Sequence, residues 1–407
     1  MPRCRDSRFG SLFERNGKWG KNMSYRVIVV GGGIIGTSIA YYLTKLGAEV
    51  TLIEAKDLAS GTSGACDRAI MLQSKKPGPL LDLAIESAHM YADLEAELGA
   101  DLEYRKCGGM ILVETEQERE AIQRLVDQQQ KAGLQVEFLS EAEARKRQPG
   151  LSKDVIGATW SDDDAEVNPL NVCFAMASAA RKRGADIRLQ SRVTGLITDR
   201  ERVVGVEVSG EKIFADATVL SSGVWTPKLL APLGLHVPII PRRGQILVSE
   251  RIPPMINSVI LSGAYIASKM LKRASSGEKT DPAGIGLAIG QTKSGNLLIG
   301  GSREFVGFDR RPTAEVLHAI SQTAVRVFPV LGSVNILRAF AGLRPYTPDK
   351  MPILGVVKEW SGLYIAAGHE GDGIALAPVT GKLMARVACG LDPGFDLRPF
   401  SLSRFQR

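Results

Sequence analysis

The chain has 407 residues, 44% of them hydrophobic and 23% charged, with a formal net charge of +7. That balance belongs to a globular protein large enough for two domains; the basic excess is spread thinly and marks no nucleic-acid surface. No uncharged apolar run reaches the roughly 18 residues a bilayer span needs, and five scattered cysteines without C-x-x-C spacing point to neither a disulfide framework nor a zinc or iron–sulfur site, which fits a reducing cytoplasm.

The opening "MPRCRDSRFGSLFERNGKWGKN" is basic but lacks the apolar core of a secretory signal. Residues 1–23 therefore read as a disordered extension or a basic arm, with Met23 an alternative start. From Tyr25 the pattern becomes regular. "YRVIVV" is a β-branched run, Ile34 to Leu46 carries apolar residues at helical spacing, Gly47 stops that helix, and "EVTLIEA" is a second strand. In this strand–helix–strand unit, Gly31 permits the tight turn, Gly33 lets a pyrophosphate approach the backbone, and Gly36 lets the helix pack close to the sheet. Glu54, at the end of the second strand, is placed to accept hydrogen bonds from an adenosine ribose and to repel a 2′-phosphate. The unit predicts a dinucleotide site without saying which dinucleotide.

Farther on, "SGTSGA" at Ser60–Ala65 offers small hydroxyl and glycine residues suited to a ribityl-phosphate chain. "CGGMILVE", "RRGQILVSE" and "GNLLIGGS" are short β-prone runs without βαβ rhythm, which predicts an antiparallel sheet. The carboxylates of "SDDDAEVNP" precede the helical "PLNVCFAMASAARKRGA" and read as its N-terminal charge and cap, with Pro169 in the first turn, and not as a metal site. "KIFADATVLSSGVW" reads as a strand pair ending near Gly223. Tyr265 sits on an expected strand, either half-buried in a sheet or reaching a substrate carboxylate, and the polar stretch from Ser268 reads as a mobile loop. Finally, "GLYIAAGHEGDGIALAPVTGKLMARVA" gives a strand from Leu363, a glycine-rich loop at Gly368–Gly373, and a helix beginning near Ile374. A helix N-terminus there favours negative charge on a ligand, as a reduced flavin requires and a nicotinamide does not.

Taken together, "VVGGGIIGTSIAYYL", "ADATVLSSGVW", "AGLRPYTPD" and "GHEGDGIALAP" resemble the flavin-dependent D-amino acid oxidase superfamily, near its glycine and sarcosine oxidase branch, from Tyr25 to about Gly394. "SGACDRAIMLQSKKPG" and "GHEGDGIALAP" are more narrowly similar to flavin subunits of multi-subunit bacterial dehydrogenases: dye-linked proline and D-hydroxyproline dehydrogenases, opine oxidases and hydrogen cyanide synthase. The resemblance implies an α/β fold: a Rossmann-like FAD-binding domain with a central parallel sheet (24–104, 152–226 and 338–400), and a discontinuous α+β cap with a mostly antiparallel sheet (105–151 and 227–337). It implies cofactor contacts at Gly31, Gly33, Ile34, Ile35, Gly36, Glu54, Ala55, Thr62, Ser63, Cys66, Val193, Ser222, Gly223, Trp225, Gly368, Glu370, Gly371, Asp372, Gly373 and Ile374. Cys66 could lie near the flavin ring, but a small buried cysteine is more often a packing residue than a chemical one.

For the chemistry, the resemblance points to Arg344 in "AGLRPYTPD" as the group holding a substrate carboxylate, a task suited to its planar bidentate fork; the alternative is a structural surface arginine. "RAFAGLRPYTPDKMPILG" has no cysteine where monomeric sarcosine oxidases attach their flavin, so FAD is expected to be non-covalent. Glycine oxidase has an arginine where this chain has Gly371, so His369 and Glu370 become candidates to line the amine side of the pocket, with a structural role for His369 equally open. The expected activity is oxidation of an amino or imino acid, with hydride passing from Cα to flavin N5 and electrons to a partner subunit of a hetero-oligomer. Its alternatives are a catalytically silent FAD-binding subunit and an oxygen-using oxidase. The expected location is cytoplasmic, with any inner-membrane contact made through partners.

Overall fold

The computed structural model describes residues 25–264, 266 and 283–406; the expected N-terminal extension, Tyr265 and nearly all of the stretch from Ser268 lie outside them. The first strand, Arg26–Val30, is buried over Val27–Val30 and pairs in parallel with Glu49–Ile53 on one side and Ala217–Leu220 on the other. Such β-branched runs, buried on both faces, are what a parallel sheet covered by helices selects. Asp186–Arg188 extends this sheet beyond Glu49–Ile53, Leu363–Ala367 extends it beyond Ala217–Leu220, and Ile353–Val356 closes it as an antiparallel edge. The result is a six-stranded α/β sheet.

Two helices lie against it and against each other. Ile34–Lys45 is buried along nearly its whole length, and Gly373–Ala388 crosses it where Gly381 meets Ser38. A Cβ on Gly381 would stand 2.2 Å from the Ser38 Oγ, so only glycine permits that crossing. The helix Pro79–Leu98 braces the second of these, with the Tyr91 hydroxyl donating to the Ile374 carbonyl at 2.7 Å.

The second large sheet has eight strands in the order Ile336–Tyr346, Ile240–Arg251, Asn296–Gly300, Ala288–Gln291, Val259–Ser262, Gly109–Val113, Gly157–Ser161 and Glu137–Ser140. All of its pairs are antiparallel except Val259–Ser262 with Gly109–Val113. Gly157–Ser161 and Ile336–Tyr346 thus pair with the cap strands although the sequence places them largely in the flavin-side segments. "KIFADATVLSSGVW" also divides: Glu211–Phe214 joins a separate three-stranded sheet, whereas Ala217–Leu220 enters the parallel one.

The carboxylates before Pro169 do not act as a helix charge. Asn168 caps the helix Pro169–Lys182 by accepting from the Leu170 and Asn171 amides, and its first turn holds no acid. Asp163 pairs with Lys106, Glu166 with Arg105, and buried Asp164 accepts from the Leu72 amide and the Gln73 side chain. No helix among the described residues is long and apolar enough to cross a membrane.

Candidate active site

One cavity of about 690 Å³ opens between the two large sheets. Its size falls in the usual range for ligand sites, roughly 300–1,000 Å³. The first strand–helix turn forms its floor. Gly31 sits at φ +111, and a Cβ there would reach 2.7 Å from the Ser221 carbonyl, so the turn depends on glycine. The Ile34 amide donates to the Ser63 Oγ at 3.0 Å, while the Gly33 and Ile35 amides have no acceptor among the described residues. A Cβ on Gly33 would meet only the Ser63 Oγ, at 3.1 Å, so the space above Gly33 is open. Gly36 does not line the cavity: its Cβ would collide with the Gly31 carbonyl oxygen at 1.8 Å, so it holds helix and turn together.

Glu54 projects into the cavity with its carboxylate accepting from the Gly32 amide at 2.7 Å and the Lys56 amide at 2.8 Å. Two amides fix the carboxylate at the cavity wall, an arrangement that fits a ligand with ribose hydroxyls. Of the other residues expected to touch a cofactor, Ala55, Val193, Ser222, Gly223, Trp225, Gly368, Gly371, Asp372, Gly373 and Ile374 all line the cavity. So do Thr62, whose hydroxyl donates to the Leu343 carbonyl, and Cys66, whose thiol donates to the Ser63 carbonyl and is raised by burial. An inert packing thiol is what that setting makes of Cys66.

The second helix N-terminus reaches the same cavity. Gly373 and Ile374 line it, and the amides of Gly373, Ile374 and Ala375 have no acceptor among the described residues. Two helix N-termini with open amides, together with Lys56, Arg192, Lys228 and Arg310 on the walls, make a site for a ligand with negative charge at two places. A dinucleotide with a pyrophosphate and a ring that becomes anionic on reduction fits that donor set. The four wall cations were not apparent in the sequence, where they stand isolated and in no motif.

Arg344 enters from the cap side. It lies on the strand Ile336–Tyr346, lines the cavity, and donates from Nη1 to the Ser302 carbonyl at 2.8 Å. Its guanidinium rests over Gly244, where a Cβ would fall 2.1 Å from Nη1. No carboxylate of the described residues pairs with it. Ile246, Leu261 and Ala288 give the same wall an apolar surface.

His369 and Glu370 are also at the cavity, but both are engaged. His369 is buried, its Nε2 lies 3.3 Å from the Thr380 hydroxyl, and burial pushes its pKa down to about 3. It is neutral at ordinary pH, and this setting does not support the catalytic role expected of it. Glu370 forms an ion pair with buried Arg242 and accepts from the Gly371 amide at 2.6 Å, so it ties the late loop to the cap and is not free to meet an amine. Arg242 escaped the sequence reading. Its only signal was the alternation in "PRRGQ", which sends Arg242 and Arg243 to opposite faces of one strand.

Comparison with known proteins agrees with this geometry. The hydrogen cyanide synthase subunit HcnC of Pseudomonas aeruginosa is 28% identical, with 95% of this chain and 97% of that protein covered. The solved glycine oxidase of Geobacillus kaustophilus superposes with a TM-score of 0.84 at 29% identity, covering 94% of this chain and 99% of that one. L-proline dehydrogenase from P. horikoshii gives 0.83 at 26%, covering 94% and 98%. Residues 26–387 match the family model described as DAO, FAD dependent oxidoreductase, and the chain is a member of that family.

Proposed function

We propose that this FAD-dependent enzyme oxidises a small amino or imino acid and passes the electrons to a partner protein. The observation that carries the reading is Arg344: a guanidinium inside the cofactor cavity, positioned over Gly244 and anchored by one carbonyl, with no carboxylate of the described residues to neutralise it. A substrate carboxylate supplies what is missing, and the planar fork fixes its orientation. Bound FAD supplies the chemistry, accepting the Cα hydrogen with its electron pair as the C–N bond becomes C=N. Ile246, Leu261 and Ala288 leave room for a short aliphatic or cyclic body, which favours proline-like and N-substituted amino acids. His369, neutral and held by Thr380, packs the wall and moves no proton. The cofactor contacts in this reading are those of the two helix N-termini, Glu54 and the Thr62–Ser63 turn, with no covalent link.

An exposed aromatic strip beside the cavity supports electron delivery to a partner. Trp225 lines the cavity, its ring centroid is 6.2 Å from that of Phe308, and Phe305, Phe308 and Ile240 are all exposed. Anaerobic mixing with proline, hydroxyproline isomers, sarcosine, glycine and opines tests the proposal by bleaching of the yellow colour. Bleaching by one acid and slow reoxidation in air are expected. No bleaching by any acid would make the chain a catalytically silent FAD subunit, and rapid reoxidation would make it an oxidase.

A further inference from the structure

Lys75 is 3% exposed, an unusual place for an ammonium. Its Nζ lies 2.8 Å from the Asp372 Oδ1 and donates to the Met71 carbonyl at 2.8 Å. The Lys75 backbone is fixed as well: its carbonyl accepts from buried Gln129 at 2.7 Å, and its amide donates to the Leu72 carbonyl at 3.0 Å. Asp372 is the residue just before the helix Gly373–Ala388, where an aspartate normally turns its carboxylate onto the first helical amides. Here it makes no such cap bond, and its backbone angles of φ −103 and ψ 5 are not those of a capping residue. The carboxylate turns to Lys75, and the Gly373, Ile374 and Ala375 amides keep no acceptor among the described residues.

We propose that Lys75 is a positioning residue that neutralises Asp372 and holds it off the late helix, so that the helix N-terminus presents its full positive end to a cofactor ring gaining negative charge on reduction. A lone carboxylate at this spot would oppose the helix dipole within the last few ångströms, where a partly buried charge is screened little by solvent. Buried Asp164, the other carboxylate near Lys75, is taken up by the Leu72 amide and the Gln73 side chain. Asp164 also feels the Lys75 charge, but Asp372 is the carboxylate that Lys75 contacts directly and the one that lines the cavity. The inference rests on FAD binding in this cavity and not on the identity of the substrate.

The test is a charge cycle read as the two-electron midpoint potential of bound FAD, by equilibration with a reference dye, which needs no substrate. Lys75→Met takes the ammonium away from Asp372 and should lower the equilibrium constant for reduction about tenfold, or about 30 mV. Asp372→Asn leaves the cation alone and should move the potential in the opposite direction. The double variant should return to within about threefold of the wild type, because both charges are gone. FAD dissociation constants of the apoproteins provide a second reading, expected to weaken in Lys75→Met only. An unchanged potential in Asp372→Asn would overturn the proposal even if Lys75→Met failed to fold. So would a double variant no closer to wild type than Lys75→Met, since lost packing alone is not restored by removing a second charge. Absence of FAD from the wild type would instead count against the cofactor site itself.

Discussion

Arg242 and Arg344 stand directly opposite one another across the antiparallel strands Ile240–Arg251 and Ile336–Tyr346, and only Arg242 has a carboxylate among the described residues. Like charges in that relationship repel, and Glu370 from the late loop removes the conflict by pairing with Arg242. Three ionised groups therefore leave one positive charge, and it is the one in the cavity. Arg242→Met should leave Glu370 buried without its cation, beside Gly371, whose Cβ position is 3.9 Å from the Arg344 side chain. The free carboxylate then competes with the substrate for Arg344. Steady-state kinetics should show KM rising at least tenfold, and adding Glu370→Gln should recover most of it. A KM unmoved in Arg242→Met would mean that Glu370 and Arg344 are independent.

Gly244 allows the same guanidinium to be displaced without touching it. An alanine Cβ there would stand 2.1 Å from Arg344 Nη1, the movable end of a long side chain, so the strand should fold and the guanidinium should shift. Gly244→Ala should lower kcat/KM for the amino acid by roughly ten- to a hundredfold through lost alignment, with little change in thermal midpoint. Arg344→Lys, which keeps the charge and loses the fork, should cost as much or more, on the order of 2–5 kcal/mol for a buried charge-assisted pair. A carboxylate-free amine, where accepted, should lose much less in both. Equal losses for acid and amine would remove Arg344 from the carboxylate site.

How much of this was legible in the sequence follows from distance along the chain. The strand, glycine turn, helix and Glu54 are one contiguous unit, so the tight turn at Gly31 and the close packing at Gly36 follow from local geometry, and the structure has both. The apolar runs of the cap were readable as strands, but their order was not. Alternation does not say which strand pairs with which, so Gly157–Ser161 and Ile336–Tyr346 were assigned largely to the flavin side. Ion pairs between distant segments were invisible for the same reason: nothing local to "PRRGQ" or "QSKKPG" announces Glu370 or Asp372. The acidic run before Pro169 misled because composition suggests a helix charge, whereas three separate partners draw the carboxylates away.

His369 makes the folded protein sensitive to acid. Burial holds it neutral down to about pH 3, whereas the unfolded chain protonates it near its ordinary value of 6.5. Below that value the unfolded state binds the extra proton, so this contribution to stability is present above about pH 6.5 and falls steadily as pH drops toward 3. His369→Gln removes the titrating group and keeps a polar atom for Thr380. Denaturant midpoints measured from about pH 7 to about pH 5 should decline in the wild type and decline less in the variant. Parallel slopes would show that some other group carries the acid sensitivity.

Two glycines of one turn separate cofactor binding from folding. Gly33 has extended backbone angles, φ −75 and ψ −179, that any residue can adopt, and a Cβ there meets only the Ser63 Oγ at 3.1 Å. Alanine at this position should leave the apoprotein at least as stable as before, since it also restricts the unfolded chain. The added methyl nevertheless stands where a pyrophosphate would approach the open Gly33 and Ile35 amides, so FAD affinity should fall by about a hundredfold or more. Gly36 is the opposite case: its Cβ would lie 1.8 Å from the Gly31 carbonyl oxygen and 2.6 Å from the Ser221 Oγ, and backbone cannot yield as a side-chain tip can. Gly36→Ala must push the helix off the sheet, and the apoprotein melting temperature should fall, by roughly 1 °C for each kilocalorie lost in a chain of this length. Melting curves without FAD, followed by FAD titration of whatever remains folded, distinguish the two. A Gly33→Ala protein that binds FAD with wild-type affinity would put the pyrophosphate somewhere other than this turn.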